Sequence, residues 1–323
     1  MFGLQQVSPS LLRVVLPPPA GVPVPYGAPY NVWVVLGERP VVVDTGWQGV
    51  RANLLAALEE AGVSRFEVSH VLLTGLGPAQ TGNTDVFPNA MVVGRDPDSV
   101  SRSYRRAMRA QQAHEVSWIR AIGSWGQAAS EWSDADVEAF AQAWMGQLPE
   151  DLSLLGVQEG MRIRTGAGVF TVYESPGVGW AGTTWLSDAG LMFGGELVDL
   201  DEEPMLRDAP AAIESLMRIS QTAPQLLLPA HGAPMRSHVR AFRSLNLFVN
   251  NLMSNIQYAL DGPRSIAEIR SRDLGYVPRD LIRFAGSARM AYAVLEELHR
   301  VGVAVREGEG PTGTFHIQRP SRL

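Results

Sequence analysis

Residues 71–83 read VLLTGLGPAQTGN, and the fold is decided there. A mostly apolar run, Val68–Leu73, stops at Thr74 and is followed by two glycines and a proline. Aliphatic residues bounded by turn formers predict a buried strand that ends in a tight loop. A helix is expected to start near Thr81. Upstream, Leu11–Leu16, Tyr30–Leu36 and Pro40–Val43 predict three short strands separated by Pro/Gly turns, and the last leads into Asp44-Thr45-Gly46. Gly49–Ala61 carries Val50, Leu54, Leu55 and Leu58 at helical spacing and stops at Gly62, which predicts a helix. Ala90–Gly94 is the next strand. Downstream, Met161–Thr165 and Gly168–Tyr173 predict a hairpin, Thr183–Leu186 and Leu191–Phe193 two strands, Ala209–Ser220 a helix and Gln225–Leu228 a buried strand.

The order of these pieces resembles the metallo-β-lactamase fold family. That family carries Thr-His-x-His-x-Asp-His-x-Gly at the first loop, and Thr74 and Gly82 match its frame. Asp44-Thr45-Gly46 precedes the first helix, Ser175-Pro176-Gly177 stands for Thr-Pro-Gly, Gly195-Glu196 for Gly-Asp, and Pro229-Ala230-His231-Gly232 for Pro-Gly-His-Gly. The resemblance covers Leu11–Pro234 and implies an α/β sandwich of the αββα type. It also implies where metal ligands belong, and here those seven positions are Gly75, Gly77, Ala79, Gln80, Val178, Glu196 and His231. Glycine, alanine and valine have no donor, and Gln80 offers a neutral amide where zinc needs imidazole, carboxylate or thiolate. No residue is therefore assigned as a metal ligand. The expected cofactor is none, or at most one weakly held divalent ion.

Composition narrows the chemistry further. The 323 residues are 46% hydrophobic and 19% charged, enough for one large domain and a smaller one. A net charge of -6 gives the whole molecule no general attraction to nucleic acid or anionic membrane. Cysteine is absent, which excludes disulfides, thiolate ligands and a cysteine nucleophile. All 27 basic residues are arginine, so Schiff-base and P-loop lysines are excluded as well. Met1–Leu16 lacks the features of a cleavable signal, and no run is long enough to span a membrane, so a cytoplasmic protein is expected.

Two regions lie outside the sandwich pattern. Residues 98–155 are rich in Ala, Gln, Arg and Trp and predict a helical insertion over the mouth of the sandwich. Arg102, Arg105, Arg106 and Arg109 share one helix face, either as a clamp for an anion or as a solvated surface. Domain boundaries are set at 1–236 and 237–323. In the second unit, His238–Leu260, Ser265–Arg270 and Pro278–Val301 predict helices, and Val303–Arg306 with Thr314–Gln318 a hairpin. That order resembles a C-terminal winged-helix domain. Residues 262–323 hold ten arginines against seven acids, a balance of plus three interleaved with acids. Tight DNA binding is therefore not expected, and packing or a homodimer contact is.

What remains of the resembling site is Asp44, Glu196 and His231, the candidate catalytic set. The resemblance places them near Thr74, Gln80 and Trp180, which with Arg105 and Arg109 form the candidate ligand-binding set. Glu196 and His231 are expected to lie within hydrogen-bond reach of each other, directly or through one water. Two functions follow: a degenerate member of the family that binds a small molecule or a protein, or a hydrolase of thioesters, lactones or phosphodiesters with an altered site using Glu196 and His231.

Overall fold

The computed structural model describes residues 2–20, 29–96, 104, 106, 109–110, 113, 133–149, 151–177, 181–198, 208–266, 268–269, 281–310 and 313–317. Two sheets face each other. The first has seven strands in sequence order: β1 (Gly3–Ser8), β2 (Leu11–Leu16), β3 (Tyr30–Val35), β4 (Val41–Val43), β5 (His70–Leu72), β6 (Met91–Gly94) and β7 (Leu155–Gly156). Its first four strands are antiparallel, and β4 through β7 run parallel. The second sheet has the order β12-β11-β10-β9-β8. These are β8 (Arg162–Thr165), β9 (Gly168–Glu174), β10 (Thr183–Ser187), β11 (Leu191–Gly195) and β12 (Leu226–Pro229), with only the β11–β12 pair parallel.

The two-residue period of a strand sorts side chains into layers. All six residues of β3 are buried. Tyr30, Val32 and Val34 face a cluster that includes Leu54, Ala57 and Leu58 of helix α1 (Arg51–Glu60). Trp33 and Val35 point the other way, into the layer between the sheets, where Phe170, Val172, Trp185, Phe193 and Leu228 arrive from the second sheet. The outer face of the second sheet is covered by helices. After α2 (Pro78–Thr81) and α3 (Asp134–Met145) come α4 (Ala209–Ser220), α5 (His238–Ala259) and α6 (Leu281–Arg300). Met192 and Leu227 of the sheet share one cluster with Ala212, Leu216 and Ile219 of α4, Val249 and Ile256 of α5, and Val294 and Leu298 of α6. Helix, sheet, sheet, helix is the αββα layering that the sequence predicts. Apolar burial of this kind is worth about 25 cal/mol per Å².

Past residue 237, a three-stranded sheet of order β13-β15-β14 joins α5 and α6. Its strands are β13 (Arg264–Ser265), β14 (Ala304–Glu307) and β15 (Thr314–Ile317). Phe315 of β15 belongs to the same cluster as α4, so the hydrophobic core continues across residue 237.

Several boundaries differ from expectation. The helix expected to start near Thr81 instead ends there, because Pro78 occupies its first turn after Gly77. The helix expected from Ser265 begins one residue later, at Ile266, because Ser265 closes a short strand and then caps the helical residues that follow, its amide and hydroxyl both donating to Glu268 at 2.8 and 2.9 Å. Strand β1 is absent from the sequence pattern, since GLQQVS lacks a hydrophobic alternation and its pairing with β2 makes it a strand. The predicted insertion at 98–155 falls largely outside the described residues. Of it, α3 is helical, and Tyr104 is buried with its hydroxyl 2.7 Å from Thr81 Oγ1 and donating to Leu76 O at 2.8 Å. Its end forms β7. Among the described residues no helix is long and apolar enough to cross a membrane.

Candidate functional site

The ends of β3, β4, β5, β11 and β12 meet at one rim, held by hydrogen bonds between the sheets. Asn31 N donates to Ala230 O at 2.7 Å, Thr183 N to Thr74 O at 2.9 Å, and Trp185 Nε1 to Leu73 O at 2.9 Å. The motif residues open from this rim.

Asp44 follows β4 with φ 58°, in the left-handed region that Asp adopts more readily than most residues. The turn carries its carboxylate beneath the 74–83 loop. Oδ1 accepts from Thr74 N at 2.8 Å, and Oδ2 from Thr74 Oγ1 at 2.6 Å and Tyr30 OH at 3.0 Å. The Tyr30 hydroxyl in turn accepts from Gln80 Nε2 at 3.1 Å. The same amide nitrogen donates to Glu196 Oε1 at 3.2 Å. The main-chain carbonyl of Gln80 accepts from Thr45 N at 2.9 Å and Thr45 Oγ1 at 2.8 Å. A chain of hydrogen bonds therefore runs from Thr74 through Asp44, Tyr30 and Gln80 to Glu196.

His231 sits in the turn after β12. Asn31 fixes that turn by donating from Nδ2 to Pro229 O and Gly232 O, both at 3.0 Å, and Arg13 also donates to Gly232 O. Trp33 Nε1 adds a bond to Pro229 O at 3.2 Å. His231 Nδ1 lies 2.8 Å from Pro29 O, a contact that assigns the ring proton to Nδ1. The ring meets Tyr30 edge-on at 5.3 Å between centroids.

Burial sets the electrostatics. Desolvation pushes the Asp44 carboxyl up from 3.8 to about 7, against the pull of its Thr74 and Tyr30 donors and with help from the Glu196 charge. Desolvation pushes His231 below its ordinary value, opposed by the Glu196 charge and the Pro29 carbonyl. Glu196 thus acts on both groups as a charge, and its hydrogen bond comes from Gln80.

Asp44, Thr74, Gln80, Glu196 and His231 come together as the sequence predicts. Trp180, Arg105 and Val178 lie outside the described residues. Arg109 is exposed. Tyr30 and Asn31 were missed, although an asparagine inside a buried strand is a signal, because it must find partners there.

The donor set does not fit the family's metal centre. Gly75, Gly77 and Ala79 have no side-chain donor. A side chain at Gly77 would meet Gln80 Oε1 at 2.7 Å, so the glutamine fills that space. The two oxygens of Asp44 already take three donors. Among the described residues no group of three or more His, Asp or Glu is placed to hold a metal ion.

No protein-family model matches this sequence, and no curated protein does. Solved structures do. A β-lactamase domain protein from Burkholderia ambifaria aligns with a TM-score of 0.79 at 19% identity, over 98% of this chain and 94% of that one. A metallo-β-lactamase family protein from Thermus thermophilus aligns at 0.76 and 18% identity, over 97% and 100%. An archaeal metallo-β-lactamase superfamily protein from Sulfolobus tokodaii aligns at 0.51 and 15%, over 92% and 99%. The chain has the metallo-β-lactamase fold. The first two alignments are long enough to take in its C-terminal helices as well.

Proposed function

We propose that this chain is a degenerate metallo-β-lactamase-fold protein that binds a small molecule or a protein at the Asp44–Glu196–His231 rim, without the family's metallohydrolase chemistry. The observation that carries this reading is the side chain of Gln80. It occupies the space beside Gly77 and spends its amide on Tyr30 and Glu196, where the fold calls for ligands. A hydroxide nucleophile at neutral pH needs a cation to lower the pKa of its water, and three ligand positions of the loop have no donor. Any divalent ion is held singly and weakly. Thr74, Gln80, Trp180, Arg105 and Arg109 are the residues proposed to contact a ligand.

Elemental analysis of protein purified without chelator tests this, together with a thioester, lactone and phosphodiester screen. The expected result is well below one equivalent of zinc and no turnover that chelation abolishes. About two equivalents retained through dialysis, with activity lost on chelation, would overturn it.

A second reading is favoured by the electrostatics. Asp44 near 7 and a neutral His231 beside Glu196 are groups able to exchange protons at neutral pH. On this reading the chain is a hydrolase with an altered site in which Glu196 and His231 act as an acid–base pair. Turnover lost in both Glu196→Gln and His231→Gln, and unaffected by chelation, separates it from the first.

The C-terminal α5, α6 and hairpin are proposed to be a winged-helix-like unit serving packing or a homodimer contact. Its arginines alternate with acids, as in the Arg300–Glu297 and Arg306–Glu296 pairs, which leaves little phosphate-binding charge. A cytoplasmic location is proposed, and the cysteine-free composition fits a reducing compartment.

A further inference from the structure

The fold calls for a cation between the 74–83 loop and the end of β11, and this chain lacks the donors for one. We infer that the side-chain amide of Gln80 has taken over the structural part of that role: it joins the loop to Glu196 and to Tyr30, and it holds the rim closed without a metal.

The geometry for this is specific. Gln80 is 5% exposed. Its Nε2 reaches Glu196 Oε1, 116 residues away in sequence, and Tyr30 OH, 50 residues away, so one small group links three separate segments. Its Oε1 rests against Gly77, where an added side chain would stand 2.7 Å away. Its main-chain carbonyl is held twice by Thr45. The side chain is therefore fixed at both ends.

Charge explains the residue type. Glu196 lies beside a buried Asp44 whose carboxyl already feels the Glu196 charge. A carboxylate at position 80, where the resembling family carries a histidine, would set a third acid among them with no cation to compensate. An amide of similar reach adds no charge and brings N–H donors, which a carboxylate cannot. Glycine at 77 and an amide at 80 are thus matched changes: the first makes room for the second.

The inference concerns how the rim is held, not what binds there, and stability reads it independently of any ligand. Thermal unfolding of the full chain is followed with EDTA and with added Mn²⁺ or Zn²⁺. The wild-type midpoint is expected to be unmoved by all three. Gln80→Glu keeps the shape but turns a donor into a carboxylate facing Glu196. Its midpoint is expected to fall by a few degrees and to recover with Mn²⁺, because two carboxylates now face one gap. Should that variant fold poorly, a cycle of Gln80→Ala, Glu196→Ala and the double variant is expected to show the double losing less than the sum of the singles. A wild-type midpoint that drops on chelation overturns the inference. So does Gln80→Glu matching wild type without cation, or an additive cycle.

Discussion

Thr74 engages both oxygens of Asp44, its amide on Oδ1 at 2.8 Å and its hydroxyl on Oδ2 at 2.6 Å. One residue on the 74–83 loop thereby fixes the carboxyl that ends β4, and the loop cannot shift without exposing or stranding it. Thr74→Val removes the hydroxyl, keeps the volume and leaves the amide bond in place. It is expected to cost about 1.5–3 kcal/mol, the range for a hydrogen bond to a charged group. Thr74→Ser should recover most of that loss. Urea unfolding of the three proteins at pH above about 8, where the Asp44 carboxyl is ionised, checks both.

The raised Asp44 pKa gives stability a pH slope of known sign. Between 3.8, its ordinary value, and about 7, the folded protein keeps a proton that the unfolded chain releases. Stability contributed by this group therefore falls as pH rises through that window. His231 works in the opposite sense. Its folded pKa lies below 6.5, so the unfolded chain binds the proton first and stability falls as pH drops below 6.5. Asp44→Asn isolates the first contribution. The stability of the variant minus that of wild type is expected to grow from about pH 4 to about pH 7, by a few kcal/mol in all. A difference that stays flat across the window would show that Asp44 titrates normally.

Asn31 is fully buried and bonds the turn that carries His231. Its Oδ1 also accepts from Arg13 Nε at 2.9 Å. Asn31→Ala removes three buried hydrogen bonds: one of the donors to each of two carbonyls, which keep Trp33 and Arg13, and one of the acceptors of the Arg13 guanidinium. The expected cost is about 1–3 kcal/mol, with a change in the His231 imidazole NMR signals as the turn loosens. Unchanged imidazole signals at reduced stability would separate the turn's position from its energy.

Two glycines at the rim should differ sharply. At Gly195, φ is 54° and an added Cβ would stand 2.6 Å from Thr74 Oγ1 and 2.7 Å from Thr74 Cβ. At Gly77 the near contact among the described residues is a side-chain end, Gln80 Oε1, rather than backbone. Gly195→Ala is expected to destabilise the fold by more than about 2 kcal/mol, through strain and overlap together. Gly77→Ala should cost less and act by displacing Gln80, so that in a Gln80→Ala background its effect shrinks. Chemical denaturation of the single and double variants tests both statements.

The sequence alone determined the individual strands and the absence of donor side chains at the positions where the resembling family has its ligands, because both are local, and the layering followed from the resemblance. The near-continuous apolar run 30–35 predicts a buried strand, and Gly75, Gly77 and Ala79 have no side-chain donor in any fold. The motif order also placed Asp44, Glu196 and His231 at one rim. Only the tertiary structure decided how they interact. The bond between Gln80 and Glu196 spans 116 residues, and that between Asn31 and Pro229 spans 198. Nothing in a local window specifies such a meeting. Tyr30 reads in sequence as one more apolar strand residue, and it becomes the relay between Asp44 and Gln80 because β3 begins beside the 74–83 loop. The shift of Asp44 to about 7 is likewise a tertiary property: it comes from burial, and burial is supplied by residues that arrive from other strands.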